Sequence, residues 1–127
     1  SYTRRTKAEL DVAHEELESA QILLESGKFR SSVGRSYYAM FHAAKAALSN
    51  KGVETKTHRG TIGRFGLEFI KPGFVEELYS KALSFAMDER LAADYEPAAV
   101  FSGEEALDAL EKAKDFVDRV EILLRKS

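Results

Sequence analysis

The sequence predicts an all-α fold, an antiparallel four-helix bundle with an additional short helix. Three observations predict it. Only 2 of the 127 residues are proline, and no stretch shows the period-two alternation of a half-buried strand. Apolar residues instead recur at steps of three and four, most strictly near the two ends of the chain. Neither a linker nor a low-complexity run interrupts the pattern, so residues 1–127 are expected to form a single helical domain. A chain of this length buries roughly two-thirds of its unfolded surface, enough for a real core.

The first helix is expected to open at Thr6, with Glu9 three residues on completing a capping box. Leu10, Ala13, Leu17, Ala20 and Leu24 form its seam, and Gly27 ends it. The second runs from about Phe29 to Asn50, turning Gly34, Tyr37, Phe41, Ala44 and Leu48 inward, with Gly52 just beyond. A loop covers about 51–56. Thr57 then caps a short third helix that stops before Pro72, because the residue preceding proline is pushed out of helical geometry. A fourth helix, over about 73–93, is expected to bury Val75, Leu78, Ala82 and Phe85. Beyond the ADYEP loop, Ser102 and Glu105 make a second capping box. Ala106, Leu110, Ala113, Val117, Val120 and Leu124 line the last helix. The regular seams of the first and last helices invite packing against each other or against a second subunit.

Several classes of function are excluded at once. There is no cysteine, hence no disulfide framework, thiolate zinc site or thiol chemistry. The longest apolar run is the five residues Tyr37 to Phe41, far short of a membrane span. The polar, basic opening SYTRRTK is unlike a secretory leader, and a cytoplasmic location is expected. A carboxylate-bridged metal bundle wants two Glu-x-x-His pairs, whereas this chain offers only Asp11-x-x-His14. No His-x-x-x-His pair exists, and the three histidines sit on different segments, so neither metal nor cofactor is expected. A serine-triad hydrolase lacks its nucleophile elbow.

The formal charge of −2 is unevenly placed. Residues 1–27 carry a net −3, residues 28–71 a net +7, and residues 72–127 a net −6. A basic middle third makes polyanions the first partners to consider. The alternative is that this segment faces the acidic flanks, within the bundle or across a dimer.

Three constellations could carry chemistry. On the second helix, Arg35, Tyr38, His42, Lys45 and Ser49 form a stripe beside the apolar seam. Seven residues advance a helix by about 700°, so Arg35 and His42 share a face about 10 Å apart along the axis. Such a stripe could grip phosphates, with Tyr38 stacking on a base and His42 acting as general acid or base. Equally, Tyr38 and His42 could be half-buried packing residues. In THRGTIGRFG, His58 and Arg59 lie at a helix start that favours an anion. Gly60, Gly63 and Gly66 there suit close helix packing better than a nucleotide loop. In DERLAADYEP, Arg90 and Asp94 are spaced for an intrahelical pair, and Tyr95 follows at the helix end, a set that could order a phosphate or a partner surface.

RSYYAMFHAAKAAL, the lone histidine of THRGTIGRFGLEFIKPG and RLAADYEP, in that order, resemble the HEPN domain family, in its short stand-alone prokaryotic branch. The resemblance covers roughly residues 7–125. It implies a compact helical bundle, frequent homodimers, and binding of RNA or nucleotides. Many members resemble metal-independent ribonucleases acting as toxins, paired with an antitoxin of nucleotidyltransferase fold. The motif implied is an arginine followed, after four to six residues, by a histidine; Arg35 and His42 have six between them. Active members usually carry it late in the bundle, at the region matching RLAADY, where Tyr95 follows Arg90 with four residues between them and the histidine is missing. A phenol is a poor base at neutral pH. Two alternatives therefore stand: Arg35 and His42 do the work, or the chain binds without cleaving, as an RNA binder or a module that docks its partner.

Overall fold

The computed structural model describes residues 2–126. Among them the chain forms five α-helices and no strand: α1 (Arg4–Glu25), α2 (Phe29–Asn50), α3 (His58–Phe65), α4 (Glu77–Tyr95) and α5 (Gly103–Arg125). A π-helical segment, Gly66–Ile70, continues α3 and keeps both Phe65 and Phe69 in the core. α2 is the axis of the bundle. α1, α4 and α5 all pack against it, while α4 and α5 barely touch each other.

The reason lies in the residues of α2. Ala39, Ala43, Ala44, Ala46 and Ala47 are all fully buried, so neighbouring helices approach its backbone closely on several sides. Between these small residues Tyr37, Met40, Phe41 and Leu48 project into the core, which Phe65, Leu83, Phe116 and Val120 complete. Gly27, at φ +75°, supplies the left-handed turn that folds α2 back along α1. The buried Ser32 hydroxyl then donates to the Ala20 carbonyl at 2.8 Å and fixes that hairpin. The capping box of Ser102 and Glu105 is formed as the spacing predicts.

Three local expectations need correction. α1 begins earlier than Thr6: Thr3 is its cap, accepting the Thr6 amide at 3.0 Å, a contact worth about 1 kcal/mol. Glu9, released from capping, is buried against α2. Second, α4 begins at Glu77 rather than 73, because Gly73 turns at φ +86° and the Val75 amide bonds back to Phe69. Its inward face also differs. Val75 is buried, but Leu78 and Phe85 are 57% and 51% exposed, whereas Leu83, Ala86, Met87 and Ala93 are buried. Two stripes on α4 have helical spacing, and polar anchors choose between them. Arg90 reaches Tyr38 on α2. From the start of α2, Arg30 gathers the carbonyls of Ala93, Glu96, Pro97 and Ala99. Third, Gly63 and Gly66 face open space rather than a packed helix. Gly60 has a different role: a Cβ there would lie 2.8 Å from the capping hydroxyl of Thr57.

Candidate functional site

α2 carries two adjoining faces, and the border between them is aromatic. Tyr37 and Phe41 belong to the core, Tyr38 and His42 to the half-buried stripe. α3 brings His58 onto this border. Thr57 caps α3 by accepting the Gly60 amide at 2.9 Å, and this fixes His58 at the first helical position. Its ring stacks on Phe41 with centroids 4.2 Å apart, and its Nδ1 lies 2.7 Å from the Tyr37 hydroxyl. Burial raises the Tyr37 phenol to about 12, against the opposing pull of Arg90, so the hydroxyl keeps its proton. An imidazole nitrogen is a far stronger acceptor than the Met87 sulfur 3.8 Å away. The phenol therefore donates to Nδ1, and the ring proton of His58 sits on Nε2. Burial first, then the charges of Arg90, His42 and Lys45, hold His58 below the usual imidazole range. At neutral pH it is an uncharged donor.

α4 adds Arg90. One terminal nitrogen donates to the Tyr38 hydroxyl at 2.7 Å, and Nε pairs with Asp94 at 2.9 Å. The guanidinium carbon lies 5.3 Å from the Tyr38 ring centre, while that of Arg35 lies 4.6 Å from it. Tyr38 is thus flanked by two cations within cation–π range.

On the other side of Phe41 stands His42, ring centroids 5.4 Å apart. α1 supplies its partner: Nδ1 is 2.7 Å from Glu9 Oε1. Lys45 and Arg5 approach the other carboxylate oxygen at 3.7 and 3.8 Å. Burial alone would raise the Glu9 pKa, but the His42 hydrogen bond and the charges of His42, Lys45 and Arg5 together hold it below the usual carboxylate range. Arg35 meets Glu16 in the same way, with one nitrogen 2.9 and 3.1 Å from its two oxygens. The two pairs are one heptad apart on antiparallel helices, so one packing register makes both.

Of the residues singled out from sequence, Tyr38, Arg90, Asp94 and His58 come together, with Arg35 beside Tyr38 and with His42 and Lys45 across Phe41. Arg35 and His42 do not meet; each turns to its own glutamate on α1. Arg59 and Tyr95 stand apart from the cluster, exposed, Tyr95 by 71% at the end of α4. Glu9, Glu16 and Tyr37 are the participants that sequence reasoning missed. The spacing from Thr6 makes Glu9 a capping candidate, and the apolar seam makes Tyr37 a core residue alone. The heptad shared by the pairs Glu9/Glu16 and Arg35/His42 is the signal that could have found the glutamates. No helix is long and apolar enough to cross a membrane, and no group of three metal-ligating side chains gathers, among the described residues.

The chain resembles known proteins along most of its length. The HEPN domain profile matches residues 7–123. A Methanocaldococcus jannaschii protein named a candidate toxin is 38% identical over 120 residues, covering 94% of this chain and 89% of that protein. A UPF0332 protein of Pyrococcus horikoshii is 49% identical over 83 residues; the match spans 65% of this chain but only 58% of that protein's length. A crystal structure of a Thermus thermophilus protein superimposes with a TM-score of 0.82 at 21% identity, covering 95% of this chain and 99% of that one. It carries the same helical bundle. The chain belongs to the HEPN domain family.

Proposed function

We propose that the chain binds single-stranded RNA or a nucleotide on the α2 face bordered by α3 and α4. The observation that carries this reading is Tyr38 held between the Arg35 and Arg90 guanidiniums, with the Nε2–H of His58 beside it. A phosphate meets the guanidiniums, a base stacks at the aromatic border, and the neutral imidazole donates without bringing a charge of its own. Lys45 extends the track along α2. Arg59 and Tyr95, exposed and apart from this cluster, would be reached only by a longer strand. The test is fluorescence anisotropy with a labelled single-stranded RNA. Wild-type affinity should fall steeply with salt, and Arg90→Ala should weaken binding about tenfold, one charge-assisted contact being worth roughly 1.5–3 kcal/mol. Equal binding by both proteins at all salt concentrations would contradict it.

One observation favours a second step, cleavage. Held at Nδ1 by Glu9, the His42 ring is oriented with Nε2 as the nitrogen left for general acid–base work. His42 would take the ribose 2′-OH proton as that oxygen attacks the adjacent phosphorus, and return it to the departing 5′-oxygen. Lys45 and Arg90 would face the charge gathering on phosphorus. No step uses a metal, so cleavage should proceed in EDTA and drop about a hundredfold or more in His42→Ala. RNA retained intact by the wild-type protein would leave the chain a binder. Relatives are named as candidate toxins, and the setting proposed for this chain is a homodimeric toxin paired with an antitoxin of nucleotidyltransferase fold.

A further inference from the structure

Away from the RNA-binding face, α4 presents a second surface. Leu78, Ala82, Phe85 and Glu89 follow at steps of four, three and four, so they form one stripe about 16 Å long. This is the seam whose spacing predicted burial, and it has no cover. α4 and α5 diverge beside it and leave an open groove of about 330 Å³, walled by Leu78, Tyr79, Ala82 and Phe85 on one side and Lys112 and Asp115 on the other.

The far end of the stripe is acidic. Glu89 makes no hydrogen bond or ion pair with any described residue. Burial first, opposed by Lys112 and reinforced by Asp108 and Glu105, holds its carboxyl above the usual range. The one cation among these neighbours is already engaged: Lys112 pairs with Asp108 at 3.0 Å and lies 5.0 Å from the centre of the Phe85 ring. Lys81, which also lines the groove, pairs with Glu77 at 3.6 Å. An apolar stripe thus runs into a half-buried carboxylate with no counter-charge of its own.

We propose that this groove docks a basic amphipathic helix of a partner protein, its apolar anchors on Leu78, Ala82 and Phe85 and an arginine or lysine on Glu89. Charge complementarity selects this occupant over a second copy of the chain. The long helices a copy could offer from its surface lie in segments of net −3 and −6, so docking them would set carboxylates against Glu89. The basic segment of a copy resides in α2, which is the core, and in α3, whose eight residues span about 12 Å and fall short of the stripe. Docking on this groove is independent of RNA binding on the other face.

The probe is a helical peptide with leucines at i, i+4 and i+7 and arginines on the flanking positions, titrated onto the full chain beside a twin with glutamates for arginines. The arginine peptide should bind and the glutamate twin should not. Phe85→Ala should weaken binding about 30-fold, as for a central aromatic anchor, and Glu89→Gln about tenfold. RNA affinity should be unchanged in both variants. Both side chains are at least partly exposed, and circular dichroism verifies the fold; Leu78→Ala replaces Phe85→Ala if that variant unfolds. Equal binding of the two peptides, or full binding by both variants, overturns the proposal. So does sedimentation showing a wild-type dimer that Phe85→Ala dissociates, which would give the face to a second copy.

Discussion

Two imidazoles flank Phe41, and their surroundings make them opposites. His42 leans on a carboxylate at the α1–α2 seam, which accepts its Nδ1–H. His58 leans on a phenol at the α2–α3 border, which donates to Nδ1 and leaves Nε2 a donor. Burial first, then the charges of Arg90, His42 and Lys45, holds His58 below the usual imidazole range. What separates them is the partner, since both rings stand against the same phenylalanine. Two identical side chains on one phenylalanine are thus held in opposite ways, one giving its Nδ1 proton to a carboxylate and the other accepting a phenol's.

The comparison breaks most severely at Glu9. Glu9→Ala removes the shared counter-charge of Arg5, His42 and Lys45 and should cost about 2 kcal/mol in urea denaturation, less than a fully buried pair because all three cations keep some exposure. It should also free the His42 ring from its fixed orientation and lower any cleavage without removing Arg35, Lys45 or Arg90. Next comes Tyr37→Phe, which leaves His58 Nδ1 without its donor and should cost about 1 kcal/mol. The freed ring should then sample both tautomers, visible in its nitrogen chemical shifts, while His42 is unaffected.

The smallest effect is a pH dependence that separates the two sides. His58 titrates in the folded chain below its ordinary 6.5, so the unfolded chain binds more protons in that window. Stability should therefore fall as pH drops from 6.5 through the lowered folded value, and His58→Gln should abolish that slope. Glu9 is also lowered, from 4.5, but its contribution persists above 4.5 and is lost only as pH falls through its own folded value. Glu9→Gln should flatten only that more acidic limb.

How much of this was legible beforehand depends on whether neighbours or spacing decided it. The helices were, because α5 has one dominant apolar stripe and a capping box built from local residues, and α2 is a long apolar run between two glycine turns. α4 was not: it has two stripes of similar spacing, and the choice is made by Arg30 and Arg90, whose partners lie more than 50 residues away. The same holds for the site. Tyr38 and His42 stand out as polar groups beside an apolar seam, and Arg90 as the spaced partner of Asp94. That Arg35 and His42 would each turn to a separate glutamate follows from the α1–α2 register, which no single helix encodes. The basic middle third is likewise partly spent within the fold, Arg35 on Glu16 and Lys51 with Arg64 on Glu68. What it offers an anion is a few half-exposed cations grouped around aromatic rings, a more selective surface than the +7 suggested.

The most direct test is the histidine side-chain spectrum as single-stranded RNA is added. The chain holds three histidines, and His14 lies on α1 against Glu121 of α5, away from the proposed face. If RNA binds where proposed, the His42 and His58 resonances shift together and saturate while His14 stays fixed. A shift at His14 alone, or saturable RNA binding that moves neither His42 nor His58, would contradict it.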